Sequence, residues 1–220
     1  MLYFILVKAY QRTDAGKGLG KRMEEHWKNL ADWIVDIREY EPTAWERLPE
    51  LDLYMDQVIT LMDKQLTPFT TDGSDKLLTP SMINNYVKDE VLPRPVKKQY
   101  SRDHLAMLMM ICILKPVLSL PEIHEIIRGL VSERRVEEMY PDFAQKQQRT
   151  LQEVADRMQE FPEYDRETLY RKAVGLALEA AARRIAAERI LAALSADRPA
   201  EDEEAKKSKK KADGETPAAE

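Results

Sequence analysis

Between Leu77 and Ile123 the rhythm of apolar and polar positions changes three times, and each change marks an element. Ile83, Tyr86 and Val87, joined by Met82, recur three and four apart, while Ser81, Asn84, Asn85 and Lys88 repeat on the opposite side. That spacing predicts a short two-faced helix. Thr79 stands ready to cap it, and Pro80 fits the first helical position, where its missing N–H costs nothing. The rhythm lapses from Val91 to Tyr100, where Pro93 and Pro95 each fix φ and remove a donor; the segment reads as a hairpin or irregular wing from which Arg94, Lys97 and Lys98 project. Leu105, Ala106, Leu108, Met109, Ile111, Cys112, Ile113 and Leu114 then follow a cap at Ser101 and are apolar almost all round, so this helix must be buried. Pro116 stops it, and Ser119 with Glu122 forms a capping box ahead of Ile123, Ile126, Ile127 and Leu130 at helical spacing.

Upstream, Trp27, Leu30, Ala31, Ile34, Val35 and Ile37 predict one amphipathic helix within Met23 to Glu50, followed by a connection punctuated by Pro42 and Pro49. Asp52 to Leu66 reads as a further helix, and Thr67 to Leu78, with Asp72, Gly73, Ser74 and Asp75, as a long loop. Downstream, Val131 to Leu194 holds two helical stretches broken near Phe161 and Pro162. The second, Glu167 to Leu194, is alanine-rich, with Val174, Leu176, Leu178, Ile185, Ile190, Leu191 and Leu194 as apolar members. Its length suits either a dimer interface or a helix that packs back on its own domain. After Ala196 the chain turns to Asp, Glu, Lys, Ala and Pro around EDEEAKKSKKK, a tail with almost nothing to bury and expected to be disordered. At the other end, Leu2 to Val7 is a short apolar run that suits a strand, a helix end packed on the core, or a start codon assigned too early. Asp14 to Gly20 suits a flexible join.

A short two-faced helix, a basic proline-stiffened ribbon and a buried helix, in that order, describe a winged helix-turn-helix, which sets one short helix in the DNA major groove. Asn84 and Asn85 suit adenine, because an amide is both donor and acceptor, and Ser81 and Lys88 share their face. Arg94, Lys97 and Lys98 suit phosphate. Tyr100 and Arg102, where ribbon meets helix, complete the expected DNA-binding set.

The same run resembles the DNA-binding domain of MerR-type regulators, which pairs a helix and a tyrosine with a "G-L-L-P" turn, a "Y-S" pair and a core helix ending before "L-S-L-x-E-I". Tyr86, Val91, Leu92, Pro93, Tyr100, Ser101, Leu118, Ser119, Leu120, Glu122 and Ile123 follow that order. More closely, roughly residues 45–130 resemble a bacterial family known as domain of unknown function 1836, which shares that core. The resemblance implies sequence-specific binding of double-stranded DNA, usually as a homodimer, in transcriptional regulation, and supplies no effector. Glu90 stands where the pattern has glycine, Asn85 where it has arginine, and the loop after Leu66 replaces a tight turn. The expected fold is therefore mainly α: a helical extension (1–44), a MerR-like winged helix-turn-helix (45–130), a C-terminal helical region suited to dimerisation (131–196) and a disordered charged tail (197–220).

With 220 residues, 44% hydrophobic and 33% charged, the chain can bury one core of ordinary size plus a helical extension. A net charge of −5 argues against nonspecific coating of nucleic acid. The sum hides an asymmetry: residues 51–78 carry two Lys and five Asp, net −3, whereas residues 79–130 carry seven Lys or Arg against five acids, net +2. The one cysteine, Cys112, rules out a disulfide within the chain and reads as a buried inert thiol in a cytoplasmic protein. Neither Leu2 to Val7 nor Leu105 to Leu114 is long enough to cross a bilayer, so no membrane role is expected. His26, His104 and His124 are scattered, and no metalloprotease, phosphate-loop, dinucleotide or nucleophile-elbow motif occurs, so neither catalysis nor a cofactor or metal is expected. The competing reading is a winged module that binds another protein and uses its lysines only for solubility.

Overall fold

In the computed structural model, residues 21–69, 77–158 and 165–197 are described. The expectations for Leu2 to Val7, Asp14 to Gly20, most of the loop after Leu66, the break near Phe161 and Pro162, and the charged tail lie outside them.

Helix α1 spans Lys21–Glu39, and Ala31, Ile34 and Ile37 form the buried stripe that its periodicity demands. A 3-10 turn at Trp45–Arg47 leads to strand β1 (Leu53–Tyr54) and helix α2 (Met55–Gln65). The sequence reading placed Leu53 and Tyr54 inside a helix from Asp52. They form a strand instead, because their backbone groups find partners in strand β2 (Gln99–Tyr100), with Leu53 opposite Tyr100 and Tyr54 opposite Gln99, antiparallel. The helix then starts one residue on, and Gln57 Oε1 accepts the Tyr54 N–H at 2.9 Å.

Helix α3 (Pro80–Lys88) carries both expected start signals: Pro80 at its first position and Thr79 Oγ1 accepting from the Met82 N–H at 3.3 Å. Helix α4 (Arg102–Leu114) runs through the middle of the core, with every residue from His104 to Cys112 buried. Each fully buried leucine or isoleucine there contributes about 1.5–3 kcal/mol relative to exposure. Around α4 pack helix α5 (Leu120–Glu133), entered through the expected Ser119 and Glu122 capping box, and helix α6 (Val136–Arg157). Tyr140 of α6 donates its hydroxyl to the Thr43 carbonyl at 2.9 Å, which ties the start of the domain to its end.

Two apolar clusters result. The larger joins α2, α3, β2, α4, α5 and the first half of α6; the smaller joins α1 to Ala155 and Met158 at the far end of α6. Arg38 fastens the second contact, donating to the Ala155 carbonyl at 3.0 Å and pairing with Asp156 at 3.1 Å. Helix α7 (Arg166–Ala196) returns alongside, with Leu169 and Leu176 against the smaller cluster and Ala187 and Leu191 against the larger. Among the described residues no helix is long and apolar enough to cross a membrane.

Candidate functional site

The site predicted from the sequence has two parts, and the structure joins them through one carbonyl. Ser81, Asn84, Asn85 and Lys88 are all exposed on one face of α3, while Ile83 and Tyr86 are buried on the other. The helix ends in a Schellman motif: the Glu90 N–H donates to the Val87 carbonyl at 3.3 Å and the Val91 N–H to the Tyr86 carbonyl at 2.9 Å. The Leu92 N–H donates to that same Tyr86 carbonyl at 3.0 Å, so the chain enters the wing already fixed to α3. Val91, Leu92 and Tyr86 are buried together beneath this corner. The motif needs a left-handed residue where glycine is usual, and Glu90 supplies it with φ 58°.

The wing is a hairpin closed by two residues. The Gln99 N–H donates to the Val96 carbonyl at 2.9 Å, and between them Lys97 and Lys98 have φ of 52° and 63°. Two successive positive φ values define a type I′ turn, whose usual occupants are asparagine and glycine. Arg94, Lys97 and Lys98 are all exposed.

Tyr100 and Arg102 are placed differently from the rest of the predicted set. The Tyr100 ring is only 3% exposed, packed into the core as the inward partner of Leu53, and burial raises its pKa. Arg102 lies over the Trp45 ring, 5.4 Å from its centroid, and pairs with Glu50 at 3.3 Å. Tyr100 is therefore enclosed in the core, and Arg102 is engaged with Trp45 and Glu50. Sequence reasoning missed Trp45 and Glu50 because they stand more than fifty residues before Arg102. His104, whose place in the first turn of the core helix gives it a ready structural use, accepts the Ser101 N–H on Nδ1 at 3.1 Å and takes the place that a glutamate holds in the usual capping box. The Ser-x-x-His spacing was the one available signal.

Cys112 is buried, and desolvation pushes its thiol up to about 12, which disfavours the thiolate. The Tyr86 hydroxyl is likewise pushed up to about 12, first by desolvation and then by Cys112, while Lys115 sits over its ring at 5.8 Å. Among the described residues no group of three or more His, Cys, Asp or Glu side chains is placed to hold a metal ion.

Residues 43–143 match the family model described as Domain of unknown function (DUF1836), which supports that resemblance over a segment running from the Thr43 carbonyl bonded to Tyr140 into the middle of α6. No curated protein and no solved structure matches the chain significantly.

Proposed function

We propose that this chain is a sequence-specific binder of double-stranded DNA, a MerR-like winged helix-turn-helix that acts in transcriptional regulation and reads its site with α3 and the wing. The observation that carries the reading is the pair of left-handed lysines at the hairpin tip. Each non-glycine residue in that region costs about 1 kcal/mol or more, and asparagine or glycine would close the same turn at less expense. Charge at the tip outweighs that strain if the tip grips phosphate. The exposed Ser81, Asn84, Asn85 and Lys88 face supplies donors and acceptors of the kind that read base edges, on a helix whose other face is locked into the core. Such a role belongs in the cytoplasm.

The working unit is a homodimer. Tyr170, Val174, Leu178 and Ile185 lie four, four and seven apart on α7 and are 66%, 59%, 66% and 52% exposed, an apolar stripe turned away from the chain's own core. Alanines at 177 and 181 lie within the same stripe, so a second α7 can approach closely. Two copies would present two reading helices to two half-sites.

Selection from random duplexes at low salt tests the function. It is expected to return one short motif, with affinity falling by orders of magnitude between low and moderately high salt if about four to eight phosphates are contacted per dimer. No enriched motif would overturn DNA reading in favour of the protein-interaction module.

A further inference from the structure

The base of the wing closes on one imidazole. On the leg that leaves the hairpin, the Ser101 N–H donates to His104 Nδ1 at 3.1 Å, and Ser101 Oγ lies 2.8 Å from the same nitrogen. On the leg that enters, the carbonyls of Pro93 and Arg94 face the other side of the ring. Nε2 is buried without a hydrogen-bond partner. The Tyr100 ring meets the imidazole edge to face at 5.6 Å and completes the enclosure, leaving His104 8% exposed.

We propose that His104 is the positioning residue of the wing: its neutral imidazole holds the leg that leaves the hairpin through Nδ1, and protonation at Nδ1 releases that leg. Nδ1 accepts from a backbone N–H, so it must carry the lone pair, and the ring proton belongs on Nε2. A proton added to Nδ1 points a donor at a donor. The Ser101 hydroxyl can turn to accept it, but the part-buried Ser101 N–H, which caps α4 where β2 ends, then loses its partner. The titratable groups facing the ring are Asp103 on its own helix, Asp52 ahead of β1 and the Tyr100 phenol of β2. Burial is the largest effect and lowers the His104 pKa, against the Pro93 carbonyl, Asp103, the Arg94 carbonyl and Asp52, all of which favour the imidazolium. The clasp is therefore intact above the ordinary histidine value near 6.5 and lost as pH falls through the lower folded value. Its consequence for Lys97 and Lys98 at the tip rests on the DNA reading; the clasp itself does not.

Deuterium uptake of the full chain, corrected for intrinsic exchange, tests it at about pH 7.5 and about pH 5.5. Peptides covering Val91 to Ser101 are expected to open as pH falls, by at most tenfold per pH unit for one proton, while the buried stretch of α6 around Tyr140 stays protected. H104N keeps an acceptor at the position of Nδ1 but cannot titrate, so its wing should remain closed at both pH values; H104A should leave it open at both. Duplex affinity at constant ionic strength is measured alongside and should fall with pH in the wild type and not in H104N. A wing whose exchange does not respond to pH, or a response that H104N retains, overturns the clasp. Opening of the wing with no duplex bound at either pH overturns the DNA reading and leaves the clasp standing. Should H104N fail to fold, the imidazole C2 proton resonances of the wild type decide the matter, since a His104 titration at or above the ordinary value also overturns the proposal.

Discussion

Glu90 and the lysine pair occupy the same region of backbone space for different reasons, and substitution separates them. Glu90 lies just past the end of α3, where the chain needs a left-handed residue, and its side chain is exposed. Glu90→Gly removes the clash between Cβ and the carbonyl and should stabilise the protein by about 1 kcal/mol, raising the melting temperature by about 2–4 °C, with DNA affinity unchanged. Denaturant titration checks it. Replacing Lys97 and Lys98 by Asn and Gly should stabilise the hairpin by a similar amount for the same reason. Here the gain comes with a loss: affinity for every duplex should fall, and the salt slope should shrink by about two units, read from binding isotherms across a salt series. A variant that is both more stable and equally tight would show that the lysines are incidental.

At the scale of the element, α3 is a reader only if its outer face discriminates. Asn84→Ala or Asn85→Ala should cost about 1–3 kcal/mol on the selected site and little on random DNA, with circular dichroism unaltered, since both side chains are exposed. Competition binding measures the difference, and equal losses on both duplexes would assign the asparagines to solvent. Elements with local start and stop chemistry were legible from the chain alone. Thr79 with Pro80, Ser101, and Ser119 with Glu122 cap helices by contacts within four residues, and Pro116 ends α4 by what it lacks. Strand β1 was not legible. Two residues hold no period, and Leu53 and Tyr54 are apolar enough for either reading until β2 arrives from forty-five residues away. The tight turn of the wing was hidden because its usual Asn-Gly signature is replaced by Lys-Lys. The burial of Tyr100 and the contacts of Arg102 with Trp45 and Glu50 were not legible because they are tertiary facts.

For the whole molecule, the stripe on α7 predicts association. Leu178→Glu places a charge in its middle, where the helix has no contact with its own body, so folding should be preserved while sedimentation reports a monomer and affinity for a two-half-site duplex falls far more than for one half-site. A wild-type chain that already sediments as a monomer at micromolar concentration would leave the stripe without this role.

Helices α6 and α7 each begin in one apolar cluster and end in the other, so the molecule comes apart in an order that their two ends dictate. The smaller cluster has five buried members, Ala31, Ile34, Ile37, Ala155 and Met158, three of them on α1 laid across the end of α6, and α7 adds only the partly buried Leu169 and Leu176. Heat or mild denaturant should strip α1 away first and fray the last turns of α6, while the amides of α4, with nine consecutive residues buried, exchange only when everything unfolds. Native-state hydrogen exchange should accordingly resolve two tiers of protection along the one continuous helix from Val136 to Arg157, with the step between Ala144 and Leu151; uniform protection from one end of α6 to the other would mean that the two clusters melt as one.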